Sequence, residues 1–216
     1  MPLKLYFHPL SSFCQKVLIA LYENDTPFEP CLVDLSNAAE RAAFLELWPI
    51  GKFPVLRDDA TDETIPESTI IIEYLDQHHP GRTRFIPADA DRARQVRMLD
   101  RFFDLYVHLP MQAVVGDRLR PAESKDPMGV ERARQQMRTA YGMIEEDMAD
   151  KEWALGDTFS MADCAAAPAL YYANLVAPFG DTHKVVAGYF ERLLARPSFA
   201  RAVKEADPYR GLFPKA

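Results

Sequence analysis

The chain has 216 residues, 48% of them hydrophobic and 26% charged, and a net charge of -7. That is enough to bury a sizeable core as one large unit or two small ones, and it is too acidic for a nucleic-acid partner, because phosphate recognition wants a basic face. The charge is uneven: 5 Lys+Arg against 13 Asp+Glu in the first eighty residues, 20 against 19 in the rest, which points to two separate units and to basic groups of the second meeting acidic groups of the first, within a chain or across a dimer. Residues 3–7 (LKLYF) read as a strand, and residues 13–24 as an amphipathic helix with Val17, Leu18, Leu21 and Tyr22 at helical spacing. FEPCLVDL, 28–35, reads as a second strand, placed at a sheet edge by Pro30. Residues 38–48 form a short helix or a loop, FPVLRDD and TIPE form a hairpin turning near Asp58-Asp59, and Glu67 to Gln77 form a helix with its isoleucines and Leu75 toward a core.

HHPGRTRFIPADAD, 78–91, has two prolines, a glycine and no periodicity, so it reads as a linker, with units at 1–80 and 89–216 joined through 81–88. Beyond it every pattern is helical: 91–119, with a bend expected at Pro110; 127–149, opened by Asp126-Pro127; then 161–177, 183–195 and 198–206. Pro168 predicts a kink in the third of these stretches. The longest apolar run, CAAAPALYYANLVAPFG, is interrupted by Asn174 and two prolines and falls short of the ~20 apolar residues of a membrane span; it reads as a buried helix, and no membrane partner is expected. Cys14, Cys31 and Cys164 make no disulfide framework, and the N-terminus lacks a leader pattern, so a reducing cytoplasm is expected. The five histidines show no metal spacing, and no metal is expected; His78-His79 is expected to be solvated.

The order βαβ followed by ββα is a thioredoxin-like arrangement. At the start of its first helix such a fold carries a reactive Cys-x-x-Cys, and here those four positions are Ser11, Ser12, Phe13 and Cys14. A free thiol has a pKa of about 8.5 and is mostly protonated at neutral pH. A serine hydroxyl at this place fits a protein that activates an incoming thiol rather than its own. Either serine also fits as a plain helix cap, and Cys14, in the place of a resolving cysteine, fits as a small packed residue or as a thiol-reductase nucleophile.

Four stretches, SSFCQKVLIAL, GKFPVL, PESTIIIEYL and FSMADCAAAPAL, in this order and spread over both units, resemble the cytosolic glutathione transferase family, in its serine-type group, with some similarity to the zeta and tau types. The resemblance implies an α/β thioredoxin-like N-terminal domain with an all-α C-terminal domain, a cytoplasmic homodimer, and glutathione as co-substrate joined to a small hydrophobic electrophile. It implies that Ser11, six residues before Val17, activates the thiol, with Ser12 as the alternative. It also implies that Pro54 is cis and exposes the Phe53 backbone to the ligand, that Glu67 and Ser68 take the γ-glutamyl end, and that Lys52 faces the glycyl carboxylate. The family often has Asn-Pro where this chain has Trp48-Pro49, so the glycyl end is expected to be held differently. Ser160 and Asp163 resemble the family's folding signature, a capping box. Aromatic residues of the long helix are candidates for the second-substrate pocket, with Tyr106 and Met111 singled out. Two rival readings remain on the same scaffold: a glutathione-dependent cis-trans isomerase of the maleylacetoacetate type, partly matched by SSFCQKV, and a non-catalytic interaction protein of the stringent-starvation type.

Overall fold

The structure, a computed structural model, describes residues 3–214. Four strands, β1 (Leu3–Phe7), β2 (Glu29–Leu32), β3 (Val55–Asp58) and β4 (Glu63–Pro66), form a mixed sheet in the order β2-β1-β3-β4. β1 runs parallel to β2 and antiparallel to β3, with Leu5 opposite Leu56. Alternation along β1 sends Leu3, Leu5 and Phe7 to the face covered by α1 (Ser12–Glu23) and α3 (Ser68–His78). Tyr6 and Val55 serve the other face, where they meet Phe44 of α2 (Ala38–Leu47) in a second, small core. Pro30 sits at the edge, where a missing N–H costs no ladder bond. β2 is shorter than the expected 28–35, and the segment left open between helix and loop is helical, capped by the Asn37 side chain on the N–H groups of Ala39 and Glu40.

The helical part comprises α4 (Ala90–Phe102), α5 (Leu109–Arg118), α6 (Pro127–Asp147), α7 (Met161–Val176), α8 (Lys184–Ala195) and α9 (Pro197–Ala206). The expected single helix over 91–119 is divided: Phe103–His108 winds as π-helix between α4 and α5. The disturbance lies just before Pro110, whose ring in α geometry would collide with the carbonyl of Tyr106, and wider turns relieve that clash. α7 continues as helix through Pro168, and its run of alanines lets α1 and the 103–108 segment pack closely against it. A capping box starts α7; both the N–H and the hydroxyl of Ser160 donate to Asp163 Oδ2 (2.8 and 3.0 Å), while Asp163 Oδ1 accepts from Ala154 N–H and the Tyr189 hydroxyl. Burial raises the Asp163 pKa, against the pull of those four donors.

One continuous buried core runs through both parts. The segment between α3 and α4 takes part in it: Phe85 is fully buried, its N–H donates to Asp76 Oδ1, and its carbonyl accepts from Met161 N–H. His78 is exposed, as expected, but His79 is not simply solvated, since its Nε2 lies 3.1 Å from the buried Asp58 carboxylate. Among the described residues no helix is long and apolar enough to cross a membrane, and no cluster of His, Cys, Asp or Glu could hold a metal ion.

Candidate active site

A cleft of about 880 Å³ opens between the loops at one end of the sheet and the α4–α5 wall. Its sheet side brings together Ser11, Lys52, Phe53, Pro54, Glu67 and Ser68, six of the residues singled out from the sequence. Each arrives by a local device. The turn from β1 into α1 is closed by Ser11 N–H on the His8 carbonyl (3.0 Å) and by Leu10 N–H on His8 Nδ1 (3.2 Å). Ser11 is the N-cap of α1 and its Oγ accepts from Cys14 N–H at 3.4 Å. Acting there as an acceptor, the hydroxyl keeps its own hydrogen for donation into the cleft.

The next device is Gly51, held at φ +69°, where an added Cβ would come within 3.0 Å of Leu45 Cδ2; it turns the chain into Lys52 and Phe53. The Phe53–Pro54 peptide is cis, as the resemblance implied, and Phe53 precedes β3 and lies outside its ladder. Glu67, the N-cap of α3, has φ +69°. That conformation costs a non-glycine residue about 1–3 kcal/mol. It turns the chain so that the first residues of α3, with the unpaired N–H groups every helix start carries, line the cleft.

Other candidates are not brought to the cleft. Ser12 is buried, and its Oγ is bonded to His108 Nε2 at 3.1 Å. Burial, helped by the nearby Lys16 charge, pushes His108 down to about 3, so that ring is neutral. Cys14 is fully enclosed and burial pushes its thiol up to about 12, which leaves no thiolate at neutral pH. Met111 is buried in the core, and Tyr106 is exposed and packs beside Phe102 at 5.6 Å.

The helical wall is instead made by a neighbouring stripe: Arg97, Asp100, Arg101, Asp104, Leu105 and Leu109, with Gln112 one turn further. Two of these charges are tied to a buried lysine. Lys16 of α1 contacts Asp100 Oδ1 at 2.6 Å, Asp104 Oδ2 at 2.9 Å and Thr69 Oγ1 at 3.0 Å, and Thr69 in turn donates to Asp100 Oδ2 at 2.7 Å. Burial, with the adjacent Asp100 charge, raises the Asp104 pKa, and the Lys16 ammonium opposes this. The cluster joins α1, α3 and α4 beneath the cleft. Arg97 is held in a bidentate pair by Glu73. Sequence reading passed over this wall because it followed aromatic residues; the spacing 97, 101, 105, 109, 112 marks one helix face equally well, and a lysine inside the apolar helix SFCQKVLIAL already demanded buried carboxylates.

Residues 5–83 match the family described as Glutathione S-transferase, N-terminal domain, and residues 127–195 match Glutathione S-transferase, C-terminal domain. The chain is 32% identical over 211 residues to glutathione S-transferase 3 of Zea mays, covering 94% of this chain and 93% of the maize protein. It is 25% identical over 194 residues to glutathione S-transferase GstB of Escherichia coli K12, covering 89% and 93%. A glutathione S-transferase of Methylobacterium radiotolerans, solved in complex with glutathione sulfonate, is similar in structure with a TM-score of 0.80 and 27% identity, over 93% of this chain and 94% of the other. A thioredoxin-like sheet domain, a helical domain and a cleft between them, with these matches along both, are the marks of one group: the chain belongs to the glutathione S-transferase family of enzymes.

Proposed function

We propose that this chain binds glutathione in the cleft, stabilises its thiolate with the Ser11 hydroxyl, and directs the sulfur at an electrophilic carbon of a small hydrophobic compound. The observation that carries this reading is the convergence on one cleft of a helix-capping hydroxyl with a spare hydrogen, a carboxylate at Glu67, and the N-terminus of α3. Glutathione has two carboxylates and an ammonium. Its γ-glutamyl carboxylate suits the α3 N–H groups and Ser68, and its ammonium suits Glu67. Its cysteinyl backbone suits the Phe53 backbone as a short added strand, and Lys52 suits the glycyl carboxylate. That a similar protein holds glutathione sulfonate supports the choice of ligand.

With the tripeptide so laid, its sulfur lies at the Ser11 end. The thiol proton leaves to solvent, the thiolate forms the sulfur–carbon bond, and a leaving group departs or a strained ring opens. Phe13, Leu105 and Leu109 offer apolar contact at that end, with the Gln112 amide as the polar member, so these four, and not Tyr106 or Met111, form the second-substrate pocket in this reading. We further propose a cytoplasmic homodimer that covers the exposed Ile70 of α3 and Met98 of α4.

Two measurements test the reading. Calorimetry with glutathione should detect binding at a single site per chain; absence of heat and of competition by glutathione sulfonate would end it. Turnover of a panel of aryl halides, epoxides, peroxides and cis-dienones should then depend on glutathione, and Leu109→Ala should raise KM for the electrophile while Tyr106→Ala leaves it unmoved.

A further inference from the structure

The loop His8-Pro9-Leu10 carries Ser11 and is itself shaped by one imidazole. His8 uses its carbonyl to hold Ser11 N–H at 3.0 Å and its ring Nδ1 to hold Leu10 N–H at 3.2 Å. This is the geometry by which an Asn or Asp side chain closes a turn on the backbone two residues ahead, here built with histidine. The ring is clamped on both sides: its centroid lies 6.2 Å from that of Phe53, near-parallel, and 5.0 Å from that of Tyr209, edge-on. It therefore connects the cleft's Phe53 to the C-terminal segment and sets the register of the residue that begins α1.

We propose that His8 is a positioning residue for the Ser11 hydroxyl: its neutral imidazole, accepting at Nδ1, closes the turn into α1, and protonation opens that turn and moves Ser11 off the thiol. The inference rests on the reading of Ser11 given above. Its chemistry is a matter of hydrogen count. A neutral ring can present Nδ1 as an acceptor; an imidazolium carries a hydrogen on both nitrogens and would point one at the Leu10 N–H. The titratable groups that bear on the ring are Asp34, from the loop after β2, through its charge, and the Tyr209 phenol, from the C-terminal segment, whose ring stands edge-on to it. Burial lowers the His8 pKa below the ordinary 6.5, with Asp34 opposing. The acceptor state thus holds at neutral pH and is lost only as the pH falls below the ordinary histidine range.

The test is a pair of substitutions, read by kcat, by KM for glutathione, and by the pH profile. His8→Leu keeps an apolar side chain between Phe53 and Tyr209 but removes the acceptor; kcat at pH 7.5 should fall about tenfold, with KM for glutathione changed less than about threefold. His8→Asn supplies an oxygen near the Nδ1 place and cannot be protonated; it should recover most of that loss. In the wild type the thiol and His8 titrate together on the acid side, so the slope of log kcat/KM against pH should approach two below the His8 titration. In His8→Asn it should stay at one, a difference of about tenfold per pH unit. If His8→Leu matches the wild type, or if His8→Asn is as impaired as His8→Leu, or if the acid slope is the same in His8→Asn and the wild type, the proposal is overturned while glutathione binding and Ser11 chemistry stand. If Ser11→Ala leaves bound-thiol titration unchanged, the earlier reading of Ser11 fails first and takes this one with it.

Discussion

Replacing Ser11 by alanine removes one hydrogen-bond donor from the cleft and one cap from α1, and the two losses separate cleanly. A hydrogen bond to a charged acceptor contributes about 1.5–3 kcal/mol. At 1.36 kcal/mol per pKa unit, losing it raises the pKa of bound glutathione by roughly 1–2 units. The helix terminus, contributing about 0.3–1 kcal/mol, stays in place, so the thiol remains somewhat more acidic than free glutathione. At pH 7 the thiolate population and the rate should fall about 5- to 20-fold, the loss being capped because even a free thiol of pKa about 8.5 is a few per cent ionised there, while affinity for the tripeptide, which the proposed reading places on Phe53, Glu67 and Ser68, should change little. Losing an N-cap serine costs about 0.5–2 kcal/mol of stability. The 3.4 Å separation between Ser11 Oγ and Cys14 N–H puts this cap toward the weak end. The assay is ultraviolet absorbance of the thiolate against pH in the saturated complex, with calorimetry for affinity and a thermal melt for the cap. A titration midpoint identical to that of the wild type would refute the assignment of the hydroxyl.

Glu67→Gly should relieve the strain of a side chain at φ +69° and raise thermal stability by about 1 kcal/mol, roughly 2–4 °C, while weakening glutathione binding at least tenfold; Glu67→Gln keeps the strain and should lose binding without the stability gain. Lys16→Met strands two carboxylates under the cleft and should cost about 3–5 kcal/mol by chemical denaturation. Asp104 holds its proton more tightly folded than unfolded, so its contribution to stability falls as the pH rises above 3.8; without the lysine that fall should steepen, and acidification from neutrality should win back part of the loss, an outcome that an unchanged pH dependence would contradict. For the cysteines, native labelling with an alkylating reagent followed by mass spectrometry should modify the partly exposed Cys31 and spare the enclosed Cys14 and Cys164 until unfolding, and Cys14→Ala should leave the bound-thiol titration where it was; modification of native Cys14 would reopen a thiol-reductase role.

Several features of this protein are local, and the amino-acid order alone determines them. Period-two alternation in LKLYF, a proline that tolerates only an edge strand, and the serine and aspartate caps need no partner beyond a few neighbouring residues, which is why these elements were legible in the one-dimensional pattern, whereas the Phe53-Pro54 and Glu67-Ser68 pairs were picked out by resemblance to a family. Other features depend on what lies across the fold. Ser11 and Ser12 are equal as helix caps; they differ because His108, ninety-six positions on from Ser12, takes the second hydroxyl and leaves the first to the cleft. Tyr106, Met111 and Leu109 all lie on one helical stretch, and only the π-helical turns ahead of Pro110, together with the packing of α7 against them, decide which face meets the core and which the cleft. Lys16 could be read as an oddity in an apolar helix, but its carboxylates come from a helix more than eighty residues later. Caps and alternation act over a few residues, whereas desolvation, pairing of buried charge and the facing of a helix are properties of surfaces that meet only when the chain has closed.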